Sequence, residues 1–142
     1  MSAGPKTTVA TIIPGLRYVD APAAIKWLEA AFGFEASMIV EGPNDTIAHA
    51  QLRFGNGMIM LGTAGKHEAY DELVKMPKDL GAQSQAPYIV VDDADAHYAR
   101  AKAAGAEIVM DIYSPDHGGR AYAAYDPEGH LWNFGSYDPW AN

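Results

Sequence analysis

Two short apolar runs, IIPGLRYV at 12–19 and PYIVV at 87–91, each lead through aspartate into an alanine-rich segment. In APAAIKWLEAAF (21–32) and ADAHYARAKAA (94–104) the spacing predicts helices that begin at aspartate caps. Pro22 suits a first turn, and Gly33 and Gly105 are placed to end the two helices. The runs FEASMIV (34–40) and AEIVMDI (106–112) predict strands, followed by the turn clusters EGPND and SPDHGG. Each half then closes on a hairpin, IAHAQLRF–GNG–MIMLG in the first and RAYAAY–DPEG–HLWNFG in the second. Both halves therefore read β-α-β-β-β.

An offset of 72 residues aligns the halves with nine identities, among them Asp20 with Asp92, Gly33 with Gly105, Met38 with Met110 and Gly57 with Gly129. Chance predicts roughly three over such a span, so the order of elements is the stronger sign of duplication. The expected organisation is a single domain over residues 1–142, with modules at 9–63 and 86–137 and a linker at 64–85 whose HEAYDELVK forms a short helix. The expected class is α+β: a curved, mostly antiparallel eight-stranded sheet with helices on its convex face. Its concave face is a natural small-molecule cup.

Composition removes several alternatives. The chain has no cysteine, which excludes disulfides, thiolate metal sites and a cysteine nucleophile. No apolar run reaches membrane-spanning length, and MSAGPKTTVATIIPG lacks the apolar core of a secretory leader, so a cytoplasmic protein is expected. A net charge of −8 with scattered Lys and Arg disfavours nucleic acid and favours cationic small molecules. No nucleophile elbow or phosphate loop is present.

The segments DAPAAIKWL…FGFE, DADA…AKAAGAE and DPEGHLWNF resemble the vicinal oxygen chelate superfamily, which includes glyoxalase I, extradiol dioxygenases and the fosfomycin and bleomycin resistance proteins. The last segment is similar to its bleomycin-resistance-like and PhnB-like branch. The resemblance runs from about Thr11 to Tyr137. It implies a homodimer and, in the enzymes, one divalent metal held by His, Glu or Gln from the first and last strand of each module. Those positions fall here on Ile13 or Pro14, Leu61, Ala86 and Asn133. They supply neither imidazole nor carboxylate, so no metal cofactor is expected.

Strand alternation, set by the same resemblance, assigns His49, Gln51, Arg53, Ile59, Leu61, Tyr88, Ala121, Ala123, Tyr125, Leu131 and Asn133 to the cup. His49 and Gln51, two residues apart, suit acid–base work or substrate hydrogen bonding. The same alternation fits the solvent face of an amphipathic strand. His130 and Trp132 are expected opposite Asn133, in structural roles, and Trp27 in the core with Ala24, Leu28 and Ala31. His97 is expected on a helix surface, and His67 and His117 in solvated loops. Tyr70 and Leu73 form the apolar side of the linker helix, and Tyr137 and Trp140 are expected to dock on the body or on a second subunit.

The expected function is metal-free binding of a cationic or aromatic small molecule, by sequestration rather than turnover, as in antibiotic resistance. His49, Gln51, Arg53, Leu61, Tyr88, Tyr125, Leu131 and Asn133 are the ligand-binding candidates. The alternative is a lyase, isomerase or dioxygenase that uses His49 and Gln51, with or without a metal.

Overall fold

The computed structural model describes residues 4, 5 and 7–141, and the N-terminal stretch read above for a leader lies partly outside them. Its elements are β1 (Gly15–Tyr18), α1 (Ala21–Phe32), β2 (Glu35–Glu41), β3 (Ile47–Phe54), β4 (Gly57–Thr63), α2 (Glu68–Asp71), α3 (Pro77–Leu80), β5 (Tyr88–Val90), α4 (Ala94–Ala103), β6 (Glu107–Tyr113), β7 (Ala121–Tyr125), β8 (Leu131–Gly135) and a 3₁₀ turn (Pro139–Ala141). The β-α-β-β-β order occurs twice, and the class is α+β. The strands hydrogen-bond as two sheets of four, ordered β1-β4-β3-β2 and β5-β8-β7-β6. In each, the first strand pairs parallel with the last, and the remaining neighbours are antiparallel.

The chain divides into two compact units. The first holds residues 1–29 and 33–74, and the second holds Ala30–Phe32 and 75–142. In the first unit, Asp20 caps α1 by accepting from the Ala23 N–H at 3.2 Å. Gly33 ends the helix at φ 86°, a backbone conformation that costs glycine little. Ile25, Leu28, Ala50, Leu52, Ile59 and Leu61 are buried in this unit's core. Trp27, expected with them, is only half-buried.

In the second unit, Asp93 is the cap of α4, accepting from Ala96 N–H at 3.0 Å. Ala94, His97 and Ala101 lie on one stripe of α4, at helical spacing. The fully buried rings of Tyr122, Trp132 and Phe134 line one face of the second sheet and meet His97 and Phe32. The expectation that His97 is a surface residue is thus corrected. Its Nδ1 accepts from the Tyr122 hydroxyl at 2.6 Å, and its Nε2 donates to the Phe32 carbonyl at 2.7 Å. The low apolarity of α4 hid the stripe, because two of its three members are alanine.

The DPEG turn is organised by Asp126. This nearly buried carboxylate accepts from the backbone N–H of Glu128 and His130, at 3.0 and 3.1 Å, and from Trp132 Nε1 at 3.0 Å. Gly129 closes the turn at φ 88°. His130 and Trp132 are buried there, in line with structural roles.

Candidate functional site

Alternation splits β8 cleanly. Trp132 and Phe134 enter the core, while Leu131 and Asn133 stay half-buried on the other face. Asn133 is the parallel partner of Tyr88 and the antiparallel partner of Ala123, so these three share a face. A cavity of about 150 Å³ opens there, lined by Tyr88, Met110, Tyr113, His117, Ala123 and Asn133 among others. The Asn133 side-chain amide has no hydrogen-bond partner among the described residues, and it offers two donors and one acceptor oxygen to the cavity.

Tyr88 is held in place. Its hydroxyl donates to the Tyr137 carbonyl at 2.7 Å, and its ring crosses Gly135, where an added Cβ would lie 2.5 Å from the hydroxyl oxygen. Burial raises its pKa above the ordinary phenol value, partly offset by the hydrogen bond to Tyr137. Tyr137 also meets the His117 ring edge-on at 4.8 Å. The C-terminal segment thus docks on the body through Tyr137, whereas Trp140 is 94% exposed. His117 and Tyr113 were missed as lining residues. His117 lies in a loop that bends back through Gly118 and Gly119 at positive φ, and sequence periodicity carries no information about where such a loop returns.

Tyr125 and Leu131 pair on the same face as Asn133. Tyr125 lines a separate cavity of about 380 Å³ with Lys78, Glu107 and Asp126.

In the first sheet, His49, Gln51 and Arg53 share one face, and His49 Nε2 donates to Gln51 Oε1 at 2.9 Å. Gln51 pairs with Met60 and Arg53 with Met58. Leu61 and Ile59 pair instead with Ala50 and Leu52, and all four are buried. The expected placement of Leu61 and Ile59 beside the polar trio is therefore corrected. The last-strand position equivalent to Asn133 is Met60. The cause is one residue in the hairpins: four residues separate the paired Arg53 and Met58, five separate the paired Tyr125 and Leu131. The offset between modules is 72 at Gln51 and Ala123 but 73 at Met60 and Asn133, and a one-residue slip exchanges the faces of a strand.

The four metal positions that the resemblance implies thus fall on Ile13 or Pro14, Met60, Ala86 and Asn133. Among the described residues no three His, Asp or Glu side chains converge as a metal site. A thioether, an amide and alkyl groups do not make a donor set for a first-row divalent ion. Nor is any helix among the described residues long and apolar enough to cross a membrane.

Residues 9–134 match the family described as the Glyoxalase/Bleomycin resistance protein/Dioxygenase superfamily. The chain belongs to this superfamily. It is 32% identical to TioX from Micromonospora sp. ML1, whose crystal structure it matches with a TM-score of 0.70 over 89% of this chain and 97% of that one. An uncharacterized protein of Mycobacterium bovis is 31% identical over 129 residues, 86% of this chain and 80% of the relative. The fosfomycin resistance protein FosX from Mesorhizobium loti shares the fold, with a TM-score of 0.62 at 14% identity over 93% of this chain and 95% of that one.

Proposed function

We propose that this superfamily member binds a small aromatic or cationic molecule without a metal and holds it rather than converting it. The observation that carries this reading is the Asn133 amide. It faces a cavity bordered by Tyr88, Tyr113, His117 and Met110, with its hydrogen-bonding groups unused by the other described residues. Aromatic rings and a thioether supply apolar contact and attract cations, and the amide orients the ligand. The net charge of −8 favours approach of a cation. The donor set at the superfamily's metal positions argues against metal-assisted turnover.

The same reading includes a cytoplasmic homodimer. Strands β2 and β6, each at a sheet edge, expose Met38, Ile39 and Val40, and Val109, Met110 and Tyr113, apolar surface that a second copy can cover. Light scattering after size exclusion tests this, and a monomer at working concentration contradicts it.

Binding is tested by screening planar cationic compounds by calorimetry against the native chain and Asn133→Leu. The reading expects a saturable ligand that is recovered unchanged and binds the variant about tenfold more weakly. A ligand that is chemically converted, or one indifferent to Asn133, contradicts it. Conversion would favour the lyase, isomerase or dioxygenase alternative, for which the His49–Gln51 hydrogen bond is the supporting observation.

A further inference from the structure

The cavity of about 380 Å³ in the second unit is walled in part by bare backbone. Gly81, Gly105 and Gly129 border it, all at positive φ, and an added Cβ on Gly81 or Gly105 would meet nothing within 4 Å. Small-molecule sites commonly enclose about 300–1,000 Å³, so this space admits one compact ligand. Helix α3 and the second sheet place its side chains. The helix is seated on the DPEG turn: Pro77 is buried against Gly129, where an added Cβ would lie 3.3 Å from Pro77 Cβ and 3.8 Å from Lys78 Cγ. That seating brings Lys78 to the cavity. On the sheet, Glu107 opens β6 and pairs with Tyr125 at the end of β7, so these two side chains stand side by side on one face.

Lys78 and Glu107 thus border one cavity with opposite charges that do not meet. Among the described residues neither has an ion-pair or hydrogen-bond partner, and the Tyr125 hydroxyl has none either. The remaining charged group of the wall, Asp126, is committed to the turn, its oxygens accepting from Glu128, His130 and Trp132. A singly charged ligand would satisfy one of Lys78 and Glu107 and oppose the other. A zwitterion satisfies both, and with no net charge of its own it is not repelled by a chain of −8. In an α-amino acid one carbon carries both the ammonium and the carboxylate, so a compact head can reach both side chains. The Tyr125 ring, beside Glu107, offers an aromatic surface to the rest of such a ligand.

We propose that this cavity binds a free α-amino acid with an aromatic side chain. Glu107 accepts from its ammonium, Lys78 donates to its carboxylate, and the Tyr125 ring packs against its ring. This cavity and the one around Asn133 share no lining residue, so the inference stands independently of the function proposed above.

The test is an NMR and calorimetric titration of the full chain with L-phenylalanine at fixed ionic strength. Phenethylamine, which lacks the carboxylate, and hydrocinnamate, which lacks the ammonium, are the comparisons. Saturable binding of L-phenylalanine is expected, with shifts at the amides of Ala82, Gly105 and Gly129. Each comparison should move those amides with an affinity about tenfold lower. Lys78→Met should weaken L-phenylalanine about tenfold and leave the response of these amides to phenethylamine unchanged. Glu107→Gln should weaken it similarly and leave their response to hydrocinnamate unchanged. Both positions are exposed, so both variants should fold, and Asn133→Leu should leave L-phenylalanine binding as it is. Absence of saturation at millimolar L-phenylalanine, equal binding of either comparison, unchanged affinity in Lys78→Met or Glu107→Gln, or loss of binding in Asn133→Leu overturns the proposal.

Discussion

Tyr122 and His97 share a 2.6 Å hydrogen bond from the phenol hydroxyl to Nδ1. Because Nε2 must donate to the Phe32 carbonyl, the neutral imidazole is fixed as the Nε2–H tautomer. The ring also packs 4.2 Å from Phe134. This half-buried histidine packs against the core rings and ties α4 to the last turn of α1.

This arrangement has a pH signature. Burial lowers the His97 pKa below the ordinary 6.5, and the nearby Arg100 adds to that effect, while the bond to Phe32 opposes it. The unfolded chain therefore takes up a proton more readily than the folded one. The stability associated with neutral His97 is fully present above the unfolded value and is lost as pH falls through the folded value. Urea midpoints should drop between about pH 7 and 5, and His97→Phe should flatten that part of the profile. An identical slope in the variant would remove His97 from the explanation.

Asp126 should be the costliest polar residue of the second hairpin to remove. Asp126→Ala strands two backbone N–H groups and the Trp132 indole N–H, all near or inside the core. A loss of roughly 3 kcal/mol is expected in chemical denaturation. Asp126→Asn should recover only part of it, since an amide cannot accept with both ends. A loss below about 1 kcal/mol would mean that the turn holds without its carboxylate.

Gly135 sets the position of Tyr88. A methyl group there would overlap the Tyr88 hydroxyl and ring carbon at 2.5 and 2.8 Å. Gly135→Ala should swing the ring away, break its bond to the Tyr137 carbonyl and destabilise the protein by roughly 1–3 kcal/mol. The ring resonances of Tyr88 and His117 should shift together. If Tyr88 keeps its chemical shifts, the close contact is relieved by backbone movement instead.

Much of this molecule is legible in its sequence, and the failures have local causes. The duplicated β-α-β-β-β order follows from aspartate caps, glycine stops and changes of hydrophobic period. Asn133 between Trp132 and Phe134 follows from strand alternation alone. Leu61 did not, because one extra residue in the DPEG hairpin changes the register between the modules and reverses which face each side chain takes. The packing of His97 is hidden because a stripe built from two alanines and a histidine carries little apolar signal. His117 reaches the cavity through a glycine-rich bend whose course depends on tertiary contacts with Tyr137.

The central claim is that the superfamily scaffold here binds its ligand without a metal. Calorimetric titration of untagged protein with Zn²⁺, Ni²⁺, Mn²⁺ and Fe²⁺, paired with elemental analysis of the purified chain, tests it most directly. No stoichiometric metal and no tight site for any of the four ions is expected. One tightly held ion per chain, lost on substitution of Asn133 or of His49 and Gln51, would contradict it and move the superfamily's enzymatic chemistry to the front.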